Sequence, residues 1–227
     1  MEYLISNISI DLCPGAFPLS TDSMVLADFV RLPRNARVLD LGSGCGTLGL
    51  LLCGRYDSCH VTGVEMERNA HVTALENITR NRLENRLYSV CADLRSIPLS
   101  PGSFDCCVSN PPYFSGGETS KKTPLARRDD FCSSGELFKA ASAALKFGGD
   151  FFLVHKPERL GQLCGEGYRH SLEPKRLALV RHRDDGPVSL ILIQFRKGGK
   201  PGMTWEEFAL YRSDGSPTED YRRIYHL

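Results

Sequence analysis

The fold is decided by the stretch Arg37-Val38-Leu39-Asp40-Leu41-Gly42-Ser43-Gly44-Cys45-Gly46. Its apolar first half predicts a buried strand over Arg37–Leu41. The three alternating glycines that follow predict a turn tight enough to bring backbone amides against a ligand. A helix is predicted next, over Thr47–Arg55. Strand, glycine turn and helix in this order indicate an α/β sheet with a ligand site at its edge.

Strands and helices alternate outward from this stretch. Further strands are predicted at Leu4–Ile10, His60–Glu65, Leu87–Cys91, Phe104–Ser109, Phe151–His155, Arg176–Val180 and Val188–Phe195. Helices are predicted at Met24–Val30, capped by Ser20, Thr21 or Asp22, at Asn69–Asn81, at Gly135–Lys146 and from Pro157. The alternation predicts an α/β fold, with a parallel sheet between two layers of helices. The last two strands are separated by a tight turn and are predicted to be antiparallel.

Acidic residues stand at three successive strand ends. Asp40 precedes the glycine turn, Glu65 closes the second strand and Asp93 follows the third. Glu65 is predicted to accept hydrogen bonds from ribose hydroxyls, and Asp93 from an adenine amino group. The spacing G-x-G-x-G after an acid differs from the G-x-G-x-x-G of dinucleotide folds and indicates S-adenosylmethionine (SAM). NADP is disfavoured, because Glu65-Met66-Glu67 supplies no cation for a 2′-phosphate.

These features predict a Rossmann-like class I SAM-dependent methyltransferase, with a seven-stranded, mostly parallel sheet and an antiparallel last strand. Residues 1–33 are predicted to pack on the core as a strand and helix segment. Residues 34–197 are predicted to form the methyltransferase domain, and residues 198–227 a C-terminal extension of it.

The residues after the fourth predicted strand of the domain indicate the chemistry. They are Asn110-Pro111-Pro112-Tyr113. The prolines fix φ and remove backbone donors, so the turn is stiff and rich in acceptors. The Asn110 side-chain oxygen and the Pro111 carbonyl can accept the two N–H bonds of an NH₂ group, while Tyr113 and Phe114 stack on a planar substrate. This arrangement predicts methylation of an exocyclic or amide nitrogen by positioning and electrostatics, with Asn110 also at the cofactor.

The composition is that of an ordinary globular chain of 227 residues, with 41% hydrophobic and 24% charged residues. No apolar stretch approaches the roughly 18–20 residues that span a bilayer, and no secretion signal is visible. The nine cysteines include no C-x-x-C pair, so no metal site is predicted, and a cytoplasmic location is expected. A net charge of +1 argues against a dedicated nucleic-acid binder, although a local basic patch is sufficient for contact.

Residues 40–46 and 110–113 together resemble the motifs of N6-adenine and glutamine-N5 methyltransferases. The flanking segments narrow the resemblance to the bacterial tRNA1(Val) (adenine-37-N6)-methyltransferase family, in particular its Gram-positive-type branch. These segments are residues 17–26, 154–160, 173–177 and 197–202, so the resemblance covers nearly the whole chain.

The resemblance implies a SAM-dependent enzyme that methylates the adenine just 3′ of the anticodon in tRNA. It also implies that Thr21 and Asp22 lie near the methionine end of SAM. One departure concerns a segment after residue 113. Members of the family carry a basic residue followed by His and Glu, whereas this chain has Arg127-Arg128-Asp129.

Four basic residues just beyond Tyr113 are the predicted contacts to the tRNA backbone: Lys121, Lys122, Arg127 and Arg128. Two further clusters, Arg196, Lys197 and Lys200, and Arg222 with Arg223, are weaker candidates. A solvated charged face is the alternative for all three clusters. Because an anticodon-loop base is already largely single-stranded, flipping it costs little, and a nearly neutral protein suffices.

Three alternatives stay open. A protein glutamine-N5 methyltransferase fits the same two acceptors, but such enzymes carry a sizeable helical N-terminal domain, and only residues 1–36 precede the first domain strand. Adenine in ribosomal RNA or DNA is the second alternative, although DNA enzymes add a target-recognition domain. A non-catalytic subunit with a SAM fold is the third. No obligate protein partner and no membrane association are predicted.

Overall fold

The structure is a computed structural model that describes residues 2–3, 8–14, 20–96, 100–111 and 133–226. The strands within these residues are β1 (Glu2–Tyr3), β2 (Ser9–Ile10), β3 (Arg37–Leu41), β4 (His60–Glu65), β5 (Leu87–Cys91), β6 (Phe104–Ser109), β7 (Leu145–His155), β8 (Leu172–Arg183), β9 (Val188–Lys197) and β10 (Thr204–Tyr211). The helices are α1 (Thr21–Phe29), α2 (Thr47–Arg55), α3 (Arg68–Arg80), α4 (Ser134–Ala144), α5 (Leu160–Arg169) and α6 (Glu219–Tyr225). None of these helices has the length and apolar character needed to cross a bilayer.

The main sheet has the strand order β10-β8-β9-β7-β6-β3-β4-β5. Neighbouring strands are parallel except at β9, which is antiparallel to both β7 and β8. The predicted mostly parallel α/β sheet is therefore confirmed. Strands β1 and β2 form a separate antiparallel pair.

The sheet has eight described strands rather than the predicted seven. The additional strand, β10, runs parallel to β8 at the sheet edge, with Thr204 opposite Arg176. Its first half is exposed on both faces, so it lacks the apolar alternation that marks a half-buried strand. Consequently β9, the antiparallel strand, is not the last one in the chain.

Two hydrophobic cores cover the two faces of the main sheet. The first contains buried residues of α1, α2, α3 and α6, and the second contains those of α4 and α5. In the second core Phe138 packs edge-on against Phe151 and Phe195, at ring-centroid distances of 5.3 and 5.1 Å. Central strands such as β3 are buried on both faces because helices cover both, which explains why they read as continuous apolar runs.

The strand β7 begins earlier than predicted. A helix was predicted up to Lys146 and a strand only from Phe151, but the strand extends from Leu145 to His155. Gly148 has a φ of +80°, and the pairing of β6 with β7 shifts register between Phe104 and Cys106. The glycines therefore form an irregularity within a strand rather than ending it. The strand predicted at Arg176–Val180 is longer at both ends in the structure, where it is β8. The strand predicted at Val188–Phe195 extends to Lys197 as β9.

The order of the strands creates a switch point between β3 and β6. From β3 the chain proceeds outward to β4 and β5, then returns to β6 on the other side of β3. The carboxyl ends of these two strands lie side by side, and the buried Ser109 hydroxyl donates to the Leu41 carbonyl over 2.8 Å. In open α/β sheets ligands bind in the crevice at such a point.

Candidate active site

The glycine loop leaves the carboxyl end of β3 in a left-handed conformation. Gly42, Gly44 and Gly46 have φ values of +74°, +55° and +88°, which side-chain-bearing residues rarely adopt. A Cβ atom added at Gly42 or Gly44 would meet no atom within 4 Å, so both positions face open space. The loop is a cradle of accessible backbone at the start of α2, the arrangement that the sequence predicted.

Asp40 is buried inside β3, with 1% of its surface exposed. Neither carboxylate oxygen has a hydrogen-bond partner among the described residues. Burial and, to a smaller extent, the negative charge of Glu65 raise the pKa of Asp40 to about 7, although the nearby Gly49 amide opposes the shift. A buried carboxyl group without a partner is costly unless a ligand supplies donors or positive charge.

Glu65 ties the glycine loop to the end of β4. Its Oε2 accepts the backbone N–H of Gly44 over 2.9 Å, and its Oε1 accepts that of Glu67 over 2.8 Å. Each carboxylate oxygen has a further lone pair for another donor. Glu65 is thus fixed in position next to the cradle, as its predicted ribose role requires.

Asp93 lies two residues beyond β5, at the same edge of the sheet. It differs from the other two acids because its carboxylate is hydrogen-bonded to Arg95. The Arg95 Nε lies 3.0 and 2.8 Å from the two carboxylate oxygens. These bonds to Arg95 lower the pKa of Asp93. In its predicted role, Asp93 would share its carboxylate between an adenine amino group and the Arg95 guanidinium, a contact that the sequence did not predict.

The cradle and the acids fit SAM. The orphaned oxygens of Asp40 match a ligand that is cationic and rich in N–H and O–H donors. The acidic stretch 65–67 gives a phosphate-bearing dinucleotide no cation. No cluster of three or more possible metal ligands occurs within the described part of the chain.

Asn110 follows β6 directly and faces the first turn of α1. Its Nδ2 donates to the Ser23 hydroxyl over 3.0 Å and makes a longer contact of 3.5 Å with the Ser20 hydroxyl. Ser20 is the N-cap of α1, as predicted, and accepts the Ser23 backbone N–H. Asn110 and the buried Pro111 thus lie across the switch point from the glycine loop.

Several predicted site residues lie outside the described residues. They are Pro112, Tyr113 and Phe114 of the predicted catalytic turn and Lys121, Lys122, Arg127 and Arg128 of the predicted tRNA contact. Their roles stay predictions.

Thr21 and Asp22 begin α1, near Asn110. Tyr225 of α6 donates its hydroxyl to Thr21 Oγ1 over 3.5 Å. Burial raises the pKa of Asp22, and the positive charge of Lys156 opposes this effect. The predicted contacts of both residues with the methionine end of SAM are consistent with this position but stay predictions.

Asn77, which the sequence analysis missed, joins the N-terminal segment to the glycine loop. Its fully buried amide donates to the carbonyls of Asp11 and Cys45, over 2.9 and 3.0 Å, and accepts the Asp11 N–H over 2.8 Å. A polar residue on the buried face of α3 was the only signal in the sequence.

Three residues of the two weaker basic clusters make contacts within the chain. Arg196 pairs with Asp150, and Lys197 donates to the carbonyls of Ser142 and Leu145. Because β9 is antiparallel to β7, its end lies at the sheet edge opposite Asn110. In the third cluster, Arg223 bonds Asp28 and Asp220. A contact of either cluster with tRNA stays a prediction.

The sequence was compared with protein families and curated proteins. Residues 18–162 match the methyltransferase small domain family. A tRNA1(Val) (adenine(37)-N6)-methyltransferase of Bacteroides fragilis is 33% identical over 187 residues, which cover 79% of this chain and 77% of the relative. Enzymes with the same name from Aliivibrio salmonicida and Vibrio parahaemolyticus are each 29% identical; the alignments cover 83% and 93% of this chain and 80% and 88% of the relatives.

Solved structures share the fold. A protein of Agrobacterium tumefaciens, described as a predicted O-methyltransferase, superposes with a TM-score of 0.77 at 19% identity, over 91% of this chain and 96% of that chain. A TehB-like SAM-dependent methyltransferase of Corynebacterium glutamicum gives a TM-score of 0.53 at 19% identity, over 78% and 87%. Because both identities are only 19%, these two structures establish the fold and nothing more.

Proposed function

Because the chain belongs to the methyltransferase small domain family, and within it to the tRNA1(Val) (adenine(37)-N6)-methyltransferases, we propose that it methylates N6 of adenine 37 in tRNA1(Val). Family membership confirms the predicted enzyme class and SAM as its cofactor. The Gram-positive-type branch and the division into residues 1–33, 34–197 and 198–227 stay predictions.

The observation that carries the proposal is the position of Asn110. It lies at the carboxyl end of β6, next to the strand β3 from which the glycine loop leaves, so an acceptor for N–H groups lies at the same switch point as the proposed cofactor cradle. Nδ2 is bound to the serines of α1, and Oδ1 makes no hydrogen bond to any residue that the structure describes. Asn110 therefore offers a hydrogen-bond acceptor to the incoming group.

An acceptor of this kind suits an exocyclic amine. The N6 lone pair of adenine is delocalised into the ring, so N6 is a poor nucleophile until it becomes pyramidal. Hydrogen bonds from its two N–H groups to Asn110 Oδ1 and the Pro111 carbonyl favour the pyramidal form and orient the lone pair. When bound, SAM supplies the electrophilic methyl group. Replacement of one N–H hydrogen by methyl releases a proton, and no described side chain has to act as a base.

The residues around the cradle hold the cofactor in this proposal. The glycine loop presents its backbone, Glu65 accepts the ribose hydroxyls, Asp40 provides buried negative charge, and Asp93 together with Arg95 borders the adenine. Thr21 and Asp22 are assigned to the methionine end because α1 begins beside Asn110.

The partner is tRNA, and we place the contact at its anticodon loop, where adenine 37 lies. A base in this loop can leave its neighbours at low cost, which fits a chain with a net charge of +1. Tyr113 and Phe114 would stack on the base, and Lys121, Lys122, Arg127 and Arg128 would contact phosphates. The proposed compartment is the cytoplasm.

The test is methyl transfer from labelled SAM to an unmodified tRNA1(Val) transcript, followed by nucleoside analysis. We expect N6-methyladenosine at position 37, and no label in a matched transcript in which adenine 37 is replaced by guanine. Label at another adenine would contradict the assigned position. Label on a protein glutamine, with none in tRNA, would show that the site accepts an amide nitrogen.

A further inference from the structure

We propose that Cys13 and Cys45 are a modification site beside the cofactor cradle. A peroxide joins their sulfurs in a reversible disulfide, and this bond weakens SAM binding at the glycine loop. The inference rests on the cradle of the proposed function but not on tRNA as the substrate. It concerns two thiols that the proposed reaction does not use.

The two thiols belong to distant parts of the chain and are in contact in the fold. Cys45 stands between Gly44 and Gly46 of the glycine loop, and Cys13 follows β2 in the N-terminal segment. Their Sγ atoms lie 3.6 Å apart, and the Cys13 backbone N–H donates to the Cys45 Sγ over 3.4 Å. An oxidised sulfur on one residue therefore meets the other thiol without a large movement of the chain.

Asn77 keeps the two cysteines together. Its buried amide donates to the carbonyls of Asp11 and Cys45, over 2.9 and 3.0 Å, and accepts the Asp11 N–H. One side chain thus bonds the backbone of Cys45 and that of a residue close to Cys13. Such a tether gives each thiol a high effective concentration at the other, which favours a disulfide within the chain.

The two thiols differ in accessibility, and this difference sets the order of the steps. Cys13 is half-buried, whereas Cys45 is only 3% exposed. Burial is the main cause that raises the pKa of Cys45 to about 11, so Cys45 stays a protonated thiol at neutral pH. Peroxide therefore reacts with Cys13 first, because the thiolate is the nucleophile and Cys13 is the thiol that solvent reaches.

The chemistry is a two-step oxidation. The Cys13 thiolate attacks a peroxide oxygen, so that an S–O bond forms, the O–O bond breaks and hydroxide leaves, which gives a sulfenic acid. The Cys45 sulfur then attacks Cys13 Sγ. The S–S bond forms, the S–O bond breaks, and the leaving hydroxide takes the Cys45 proton as water. In sum two thiols are oxidised, and hydrogen peroxide is reduced to two waters; a dithiol reverses the reaction by exchange.

The disulfide would distort the cradle. An S–S bond is about 2.05 Å long, so the two sulfurs have to approach each other by about 1.5 Å. The glycines on either side of Cys45 rotate more readily than other residues, so the loop takes up part of this movement. The movement displaces the backbone that the loop presents to SAM, including the Gly44 N–H that Glu65 holds.

The first test compares the chain after treatment with hydrogen peroxide and after treatment with dithiothreitol. Trypsin leaves Cys45 and Cys53 in one peptide, so fragmentation spectra assign the bond. We expect a disulfide between Cys13 and Cys45 and a rise of about tenfold in the Kd for SAM, which dithiothreitol reverses. Absence of this disulfide, or the same Kd in both forms, would overturn the inference.

Cys13→Ser separates this disulfide from oxidation elsewhere. The variant should bind SAM as the reduced wild type does, and peroxide should not raise its Kd. Cys164→Ser is the matched control, since it removes another half-buried thiol, in α5 on the opposite face of the main sheet. It should respond to peroxide as the wild type does. Equal rises in Kd for the wild type and Cys13→Ser would assign the effect to another cysteine and refute the proposal.

A redox titration in glutathione buffers needs no variant. Because coupling is reciprocal, saturating SAM should favour the dithiol by the factor by which the disulfide raises the Kd. A tenfold factor raises the reduction potential of the pair by about 30 mV, and an unchanged potential would contradict the inference. If the reduced wild type binds no SAM, the cradle fails and the inference with it. SAM binding without transfer to tRNA refutes only the proposed substrate, and the two Kd values still decide the inference.

Discussion

The backbone N–H of Gly44 donates a hydrogen bond to Glu65 Oε2 over 2.9 Å, which joins the glycine loop after β3 to the end of β4. The same carboxylate also raises the pKa of the buried Asp40. One side chain therefore shapes the loop and adds to the rise in the pKa of Asp40 that burial causes. We therefore propose that the loop, Glu65 and Asp40 act together in cofactor binding.

Removal of the Glu65 side chain should weaken SAM binding. Glu65→Ala loses the proposed ribose acceptor and releases the Gly44 amide, so we expect a loss of about 2 kcal/mol, or roughly thirtyfold in Kd. Calorimetric titration with SAM measures the change. The matched control is Glu84→Ala, which removes an exposed glutamate, and its Kd should equal that of the wild type. An unchanged Kd for Glu65→Ala would remove the ribose assignment.

Asn110→Ala should separate binding from chemistry. The variant keeps the glycine loop, Glu65 and Asp40 but loses the acceptor for the substrate amine, so we expect kcat to fall by roughly 10²–10³-fold. The Kd for SAM should stay close to the wild-type value. Single-turnover transfer and calorimetry measure the two quantities. If SAM binding and transfer are lost together, Asn110 holds the site in shape rather than acting on the substrate.

Asn77→Ala should destabilise the chain and weaken SAM binding. The change removes the partner of the buried Cys45 carbonyl and of the half-buried backbone groups of Asp11, at a cost of roughly 2–4 kcal/mol in the free energy of unfolding. Urea denaturation measures this quantity. Binding should suffer because Cys45 lies between two cradle glycines.

Asn81 offers the comparison for Asn77. Its amide makes a similar pair of bonds to the backbone of Ser9, over 2.9 and 2.7 Å. Asn81 is partly exposed, directly follows α3, and makes no described hydrogen bond to the glycine loop. Asn81→Ala should cost less stability, because water can replace the lost partner, and it should leave SAM affinity unchanged. Equal effects of the two substitutions on SAM binding would show that the segment as a whole supports the site.

The central elements could be predicted from the sequence because their apolar pattern is unambiguous. The predicted limits of β3, α2, β4, β5 and β6 agree with the structure. Each of these strands is short, and a polar or glycine residue stands at its end or within the next two positions. The edge strand β10 could not be found this way. Its first residues are exposed on both faces, so they show no alternation of apolar and polar residues.

Only those residues of the candidate site that directly follow a strand in the sequence could be predicted. The glycine loop, Glu65 and Asn110 follow strand ends, and parallel strands bring their carboxyl ends to one edge. The contact between Ser23 and Asn110 joins residues 87 positions apart, and no periodicity encodes such a pair. The hydrogen bond from Arg95 to Asp93 depends on which side-chain conformation Arg95 adopts, and the sequence does not determine that conformation.

Asp40 should make the stability of the ligand-free chain depend on pH. Its pKa is about 7 in the folded chain, against about 3.9 when unfolded, so between these values only the folded state holds the proton. The contribution of Asp40 to the free energy of unfolding is therefore fully present below about pH 4. It falls as the pH rises toward 7 and is constant above, with a total change of a few kcal/mol. His155 acts in the opposite direction: its pKa is lowered to about 4, mainly by burial, so its contribution falls as pH decreases from about 6.5 to 4.

The two effects overlap between pH 4 and 6.5, and Asp40→Asn separates them. The variant keeps His155 and the shape of the Asp40 side chain but removes its titration. We expect the stability of the wild type minus that of Asp40→Asn, measured by urea denaturation without SAM, to fall by roughly 2–4 kcal/mol between pH 5 and pH 8. SAM should reduce this fall, because a cationic ligand with N–H and O–H donors favours the ionised carboxylate. A difference that does not change with pH would show that Asp40 has a partner for its charge in the folded chain.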